Sequence, residues 1–171
     1  MALIEYLKST PLPLPEVAER ATGELPARTG AVTASFLRGE LFLENTSGKL
    51  FRLSWSGEEP REERALALPA GKYKLKTYRI VRELEGETWH VSATDSEIRE
   101  VVVPAEKRIR VEIDDSVLIV GKRRGAGAQL KIEGDAGAGL SVYRGGRRIP
   151  IEFRVVDRTG KVLEHGRMRY G

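Results

Sequence analysis

The chain has 171 residues, of which 40% are hydrophobic and 32% charged, and this composition excludes an intrinsically disordered protein. It contains no cysteine, which excludes disulfides and thiolate metal sites. No apolar run approaches the roughly 20 residues that a transmembrane helix needs. The first residues also lack the basic and long apolar regions of an intact secretory signal. We therefore expect either a cytoplasmic protein or an extracytoplasmic one whose signal peptide was removed.

The formal net charge of +4 is unevenly distributed along the chain. Residues 105–171 contain 15 Lys and Arg against 9 Asp and Glu, so the positive charge lies in the C-terminal part. A basic region favours an anionic partner such as nucleic acid or an acidic polysaccharide. The alternative is that these side chains occupy the solvated faces of strands.

The first 30 residues differ from the rest of the chain. Alternating prolines in Pro11–Pro15 exclude a helix and favour an extended conformation. The following stretch, Glu16–Thr22, has a proline at its start and Gly23 after its end, which predicts a short helix. We expect residues 1–30 to form an extension that lies across the outside of the domain, or a linker.

From Ala31 onwards the sequence predicts short strands separated by turns. The predicted strands are Val32–Leu37, Glu40–Glu44, Lys49–Trp55, a strand from Lys72 onwards, Thr88–Ala93, Glu100–Val103, Arg108–Ile113, Val117–Val120, Gln129–Glu133, Leu140–Tyr143, Ile149–Asp157 and Lys161–Tyr170. This pattern predicts an all-β, antiparallel Greek-key sandwich. We expect residues 31–115 to form a sandwich module and residues 116–171 a basic β subdomain, either separate or continuous with it.

The strand after Pro69-Ala70-Gly71 organises this prediction. Tyr73, Leu75 and Thr77 alternate with lysines, as in a strand with one buried face. After Thr77 the alternation slips, because Tyr78 falls in phase with the lysines. The slip predicts a bulge, or a strand that leaves one sheet for another.

The same stretch carries a resemblance to a known family. Leu68-Pro69-Ala70-Gly71-Lys72-Tyr73-Lys74-Leu75, followed by Val101–Glu106 and the strand Arg108–Ile113, resembles the transthyretin-like or carboxypeptidase regulatory-like β-sandwich modules. The resemblance covers roughly residues 65–115, and Glu106 stands where those modules usually have a glycine. It implies a Greek-key sandwich and a structural or adhesive role in extracytoplasmic proteins, without an active site.

Catalytic residues are scarce in this sequence. A catalytic triad needs an imidazole base, and only His90 and His165 are available. His90 shares a strand face with Ser92, about 7 Å away, which is too far for direct proton transfer. We therefore interpret both histidines as surface or packed residues and expect no enzyme activity.

Sites for metals and phosphates are equally poorly supported. Asp114 and Asp115 lack the spacing of a calcium-binding loop. The glycine-rich stretch Gly134–Gly139 is followed by a strand, so it lacks the helix N-terminus of a phosphate loop. The loop Gly121–Ala128, whose basic part is Gly121–Gly125, contains no Gly-Lys-Ser/Thr and fails as a Walker loop. We interpret both as connecting loops and expect no cofactor.

The strongest functional signal is a set of basic residues that the sequence places mainly in turns of the C-terminal half. These are Lys122, Arg123, Arg124, Arg144, Arg147, Arg148, Arg158, Arg167 and Arg169. Arginine forks bind phosphates and carboxylates, but acidic residues are interspersed among them. The first hypothesis is therefore a non-catalytic binding or structural module that engages protein or an envelope polymer. The alternative is an anion-binding module for nucleic acid or an acidic polysaccharide.

Overall fold

The computed structural model describes residues 14–21, 25–59, 64–93, 99–113, 118–124, 127–150 and 152–167. In these ranges the chain forms fifteen strands and one short 3-10 turn, Asp135–Gly137. The strands are β1 (Glu16–Val17), β2 (Thr29–Ala34), β3 (Gly39–Asn45), β4 (Leu50–Trp55), β5 (Leu66–Pro69), β6 (Gly71–Leu84), β7 (Glu87–Ala93), β8 (Arg99–Val103), β9 (Arg108–Val111), β10 (Leu118–Arg124), β11 (Gly127–Glu133), β12 (Leu140–Arg144), β13 (Arg147–Arg148), β14 (Glu152–Val156) and β15 (Val162–Arg167).

Two sheets pack face to face and confirm the predicted all-β sandwich. The larger sheet has the order β1-β4-β3-β6-β7-β12-β13, with β8 also paired to β6, and the smaller sheet has the order β5-β2-β9. The strands β10–β11 and β14–β15 form two further hairpins. One hydrophobic core joins the two sheets; its members include Val32, Leu68 and Val111 from the smaller sheet and Leu41, Leu53, Leu75 and Tyr78 from the larger one.

The strand β6 confirms the predicted slip in alternation. Its pairing with β3 runs from Phe42 opposite Thr77 to Leu43 opposite Leu75, so Lys76 is one extra residue, a β-bulge. The bulge returns Tyr78 to the core side, where it is buried.

The bulge also lies where β6 changes its neighbour. Gly71–Leu75 pairs with β8, whereas Arg79–Leu84 pairs with β7. Between these two segments the hydroxyl of Thr77 donates a 2.8 Å hydrogen bond to the carbonyl of Ala93 at the end of β7. The predicted bulge therefore occurs, whereas β6 does not leave one sheet for another: it stays in the larger sheet and exchanges β8 for β7 as its neighbour.

The helix predicted for Glu16–Thr22 is wrong. Glu16 and Val17 form β1, which pairs in parallel with Phe51 and Arg52 at the edge of β4. A single helical turn or two is marginal in water, and the edge of β4 offers main-chain partners that a helix would forgo.

Two further predictions, one of a loop and one of a strand, need correction. The predicted loop Gly121–Ala128 is wrong, because β10 runs to Arg124 and β11 starts at Gly127, pairing over seven residues each. Of the predicted strand Ile149–Asp157, the described residues show β14 over Glu152–Val156, and Pro150, which has no N–H to donate to a ladder, lies outside it. Sequence patterns also missed the short strand β5, whose Leu66 and Leu68 are buried.

The C-terminal part shares a sheet with the rest of the molecule. Five residues of β12 pair with β7, from Leu140 opposite Ala93 to Arg144 opposite Trp89. Ile132 and Leu140 belong to the main core. A subdomain boundary between residues 115 and 116 stays a prediction.

Candidate functional site: the open side of the sandwich

One side of the sandwich is closed by the segment of residues 16–21. Its first part pairs with β4 of the larger sheet, and the N–H of Ala18 donates to the carbonyl of Arg52 at 3.0 Å. Its second part runs along β5 of the smaller sheet, where the N–H of Ala67 donates to Glu19 and the N–H of Ala21 to Ala65. This segment therefore links the outer strands of both sheets.

An ion pair fixes the closing segment to the loop after β4. The guanidinium of Arg20 lies 2.5 Å from the carboxylate of Glu59. The same carboxylate accepts hydrogen bonds from the N–H of Ser56 at 2.6 Å and of Gly57 at 3.0 Å. Burial raises the pKa of Glu59, but the bonds from Ser56 and Arg20 outweigh it and lower this pKa to about 2. Glu59 is therefore ionised at neutral pH.

The opposite side of the sandwich is open as far as the described residues show, and we call it the open side. It is formed by β8 of the larger sheet and β9 of the smaller sheet, which are consecutive in the chain and joined by residues 104–107. Each has one strand partner within the described ranges, β6 for β8 and β2 for β9. Both strands therefore present a second edge that no described strand covers.

The hydrogen-bond pattern of β9 shows which groups lie on this edge. The N–H of Ala31 donates to the carbonyl of Lys107, and the N–H of Ser35 donates to the carbonyl of Val111. In a parallel ladder, alternate residues of a strand bond to the same neighbour. The main-chain groups of Arg108 and Arg110 consequently point away from β2.

A shallow cleft between β8 and β9 is lined by alternating polar and apolar side chains. Val102 is 53% exposed at its rim, and the half-buried Ile109 lies across from it. The guanidinium of Arg99 spans the cleft and donates to the carbonyl of Glu112, an acceptor that also points away from β2. This contact shows that the outward carbonyl of Glu112, directly after β9, accepts a hydrogen bond from outside the ladder.

The nine basic residues singled out in the sequence are distributed over separate hairpins. Lys122, Arg123 and Arg124 lie on β10 rather than in a loop, and Arg169 lies outside the described residues. Arg144, Arg147 and Arg148 lie in the β12–β13 hairpin, whereas Arg158 and Arg167 lie in the β14–β15 hairpin. Anion binding through this set stays a prediction.

Two of these arginines already bind carboxylates. Arg144 forms an ion pair with Glu87 and lies over the ring of Trp89, with 5.6 Å between its guanidinium carbon and the ring centroid. The hydrogen bond from Arg144 lowers the pKa of Glu87. Arg167 pairs with Glu152 at 3.0 Å across the β14–β15 hairpin. An anionic ligand would have to compete with these internal partners.

The two histidines lie in different environments. His90 is buried on β7, and its ring stacks on that of Tyr143 with 4.3 Å between centroids and 12° between planes. Its Nδ1 lies 3.3 Å from a guanidinium nitrogen of Arg79. Burial and the charge of Arg79 lower the pKa of His90, so its ring is neutral at pH 7. His165 is exposed on β15, opposite Arg154.

The metal and phosphate candidates gain no support from the geometry. Asp114 and Asp115 lie outside the described residues. Elsewhere in the part of the chain that the structure describes, no three His, Asp or Glu side chains come together as metal ligands. Gly134–Gly139 connects β11 to β12 as the predicted loop between strands, and its 3-10 turn is only three residues long.

Comparisons with known proteins add no assignment: no family model matches the chain, and neither a curated protein nor a solved structure matches it. Among the described residues, no helix has the length and apolarity to cross a membrane. The resemblance to transthyretin-like modules stays a prediction.

Proposed function

We propose that the chain is a non-catalytic β-sandwich module that binds an extended segment of a partner protein along the open edge of β9. One observation carries the proposal. The N–H and C=O groups of Arg108 and Arg110 point away from β2, on the side of the sandwich that no described strand covers. An edge of this kind can accept an added strand by main-chain hydrogen bonds.

The difference between the two sides of the sandwich supports this choice of edge. Residues 16–21 already occupy the edges of β4 and β5, so an added strand would have to displace them there. On the β8–β9 side no described strand is in place, and, of the contacts described above, an added strand would displace the one between the Arg99 guanidinium and Glu112. We therefore place the partner on the open side.

The side chains beside this edge provide the means of selecting a partner. The apolar lining of the cleft includes Val102 and Ile109, and the exposed Arg110 lines it as well. An added strand places alternate side chains toward such a cleft, where they determine specificity. A protein segment fits this arrangement better than an envelope polymer, because a polysaccharide has no regular ladder of N–H and C=O groups.

A pair of substitutions at one position tests the proposal. Arg110→Pro removes an N–H that points outward, and proline is tolerated at edge positions where the N–H faces solvent. Arg110→Ala removes the same side chain but keeps the N–H. Both variants and the original chain are immobilised and exposed to an extract of the source cells at moderate salt.

We expect one partner to be retained by the original chain and by Arg110→Ala and lost by Arg110→Pro. Thermal unfolding of both variants confirms that they are folded. Equal capture by all three chains, or equal loss with both substitutions, would overturn binding through the edge of β9.

A further inference from the structure

The hairpin β14–β15 is exposed on both of its faces. Its two strands pair with each other and with no other described strand. Within residues 152–167 only Phe153, Asp157 and Gly166 are half-buried, and every other residue is exposed. The exposed residues include four large apolar ones: Val155, Val156, Val162 and Leu163. A two-stranded hairpin by itself is at best marginally stable in water, so this hairpin gains from a further strand beside it.

The outer edge of β14 offers the main-chain groups of alternate residues. The N–H of Asp157 donates to the carbonyl of Lys161 at 2.9 Å, so the main chain of Asp157 faces β15. The register irregularity of the hairpin adds its extra residue to β15, and β14 keeps a regular alternation. Every second residue before Asp157, including Phe153, therefore bonds to β15. The N–H and C=O groups of Glu152 and Arg154 consequently point outward.

The charged side chains along this edge are incompletely paired. The carboxylate of Glu152 accepts a 3.0 Å hydrogen bond from Nε of Arg167 across the hairpin. Arg154 lies opposite His165 and has no carboxylate partner among the described residues. Glu152 and Arg154 are two residues apart and thus lie on the same face of β14. The edge therefore presents one acidic and one basic side chain, of which the basic one is unpaired.

A second copy of the same strand complements this edge in one antiparallel register. When the Phe153 residues of two copies lie opposite each other, Glu152 of each copy lies opposite Arg154 of the other. Both of these residues have outward main-chain groups, so each such pair can exchange two hydrogen bonds. Val156 then lies opposite Pro150, whose carbonyl can accept a hydrogen bond although it has no N–H to donate. Opposite charges and aromatic rings that face each other across strands stabilise a sheet.

The neighbouring registers fit less well. A two-fold antiparallel pairing must be centred on a residue, because residues opposite each other share a face. Centring the pair on Glu152 or on Arg154 places like charges directly opposite each other, which is destabilising. Centring it on Val155 places Phe153 opposite Asp157. The register centred on Phe153 is therefore the one that the side chains of β14 favour.

We propose that two copies of the chain associate through the outer edges of β14, around a two-fold axis at Phe153. The strands form one four-stranded antiparallel sheet of the order β15-β14-β14-β15. A two-fold contact requires a surface that complements itself, and the sequence Glu152-Phe153-Arg154 meets this requirement. The association uses a different strand from the proposed binding edge of β9 and does not depend on it.

Sedimentation equilibrium of the full chain at low salt, over a range of concentrations, tests the association. Arg154→Glu places carboxylates opposite each other in both Glu152–Arg154 pairs. The control Lys161→Glu makes the same change in charge beside β15, away from the outer edge of β14. We expect a monomer–dimer equilibrium in the original chain and in the control, and dimerisation at least about tenfold weaker in Arg154→Glu. A monomer at every concentration up to about 1 mM, or equal weakening in both variants, would overturn the proposal.

A mixture of two variants tests the register. Glu152→Arg places guanidiniums opposite each other in its own dimer and loses an exposed ion pair with Arg167, which contributes little to folding. Thermal unfolding confirms that this variant and Arg154→Glu are folded. Each should be monomeric alone, whereas their mixture restores opposite charges in both pairs and should form a dimer with one chain of each kind. A mixture that stays monomeric would contradict the register centred on Phe153.

A single cysteine gives an independent measurement, because the chain has none of its own. Phe153→Cys places the two thiols directly opposite each other in the proposed pair. Val155→Cys lies on the same face of β14, but its two thiols are displaced along the strands and beyond the reach of a disulfide. Under mild oxidation we expect a covalent dimer to form at least about tenfold faster from Phe153→Cys. Equal rates for the two variants would overturn the proposed interface.

Discussion

Arg110 lies opposite Thr33 in the parallel ladder of β9 and β2, and its N–H and C=O face away from that ladder. The residue on either side of Arg110, Ile109 or Val111, bonds back to β2 instead. One strand of four residues thus completes the smaller sheet with half of its main-chain groups and offers the other half outward. This division of a single strand is the basis of the proposed binding function.

The stability that the closing segment, residues 16–21, gives to the fold should depend on the ionisation of Glu59. Glu59→Gln weakens the bonds to Arg20, Ser56 and Gly57, and we expect it to lower the free energy of unfolding at pH 7 by about 1 to 3 kcal/mol. Urea unfolding measures this change. The exposed neighbour Glu58 provides the control, because Glu58→Gln leaves those bonds in place.

The pH dependence of this contribution has a defined sign. The pKa of Glu59 is about 2 in the folded chain, below its ordinary value of 4.5. Its contribution is therefore complete above about pH 4.5 and is lost as the pH falls towards 2. The difference in stability between the original chain and Glu59→Gln should shrink over that window; a constant difference would contradict the assignment.

Gly30 of the smaller sheet should tolerate a side chain far less well than Gly71 of the larger sheet. A Cβ at Gly30 would lie 2.3 Å from the carbonyl oxygen of Pro104 and 2.6 Å from a methyl of Val103. At Gly71 the nearest atom would lie 4.0 Å away, on the ring of Tyr73. We expect Gly30→Ala to lower the free energy of unfolding by about 3 kcal/mol or more, and Gly71→Ala by less than about 1 kcal/mol. Similar losses in chemical unfolding would show that β2 does not need this close approach.

Strand β6 should tolerate deletion of the bulge residue Lys76 better than deletion of Arg79. Without Lys76 the strand alternates regularly, and Tyr78 and Ile80 stay on the core side. Without Arg79 either Tyr78 or Ile80 must turn outward, because side chains alternate with a period of two. We expect deletion of Lys76 to cost about 1 to 2 kcal/mol and deletion of Arg79 to cost at least about 2 kcal/mol more. Equal losses in denaturant unfolding would contradict the assignment of the bulge.

Local sequence patterns were sufficient for the central strand and for the fold class. The slip after Thr77 is visible because the side chains of Tyr78 and Ile80 need a core, and this need is local to β6. The inward position of Tyr73 was equally predictable; its hydroxyl donates to the carbonyl of Pro69 at 2.6 Å. Turn chemistry was also reliable, since the side chain of Asn45 accepts from the N–H groups of Ser47 and Lys49 in the predicted turn.

The features that the sequence did not predict depend on pairing between segments that are distant in the chain. Glu16 and Val17 become a strand only because the edge of β4 is available to them. The stack of His90 on Tyr143 exists because β12 returns to pair with β7, and nothing near either residue signals that pairing. The sequence predicted the strand Arg108–Ile113 but could not show which of its main-chain edges stays open.

Hydrogen exchange of individual amides of β9 tests the central claim most directly. In the free chain at neutral pH, we expect the amide of Arg110 to exchange with solvent much faster than that of Val111, which bonds to β2. When the partner retained by Arg110→Ala is added, the amide of Arg110 should become protected. An amide of Arg110 already as protected as that of Val111 in the free chain would contradict the open edge and the binding function built on it.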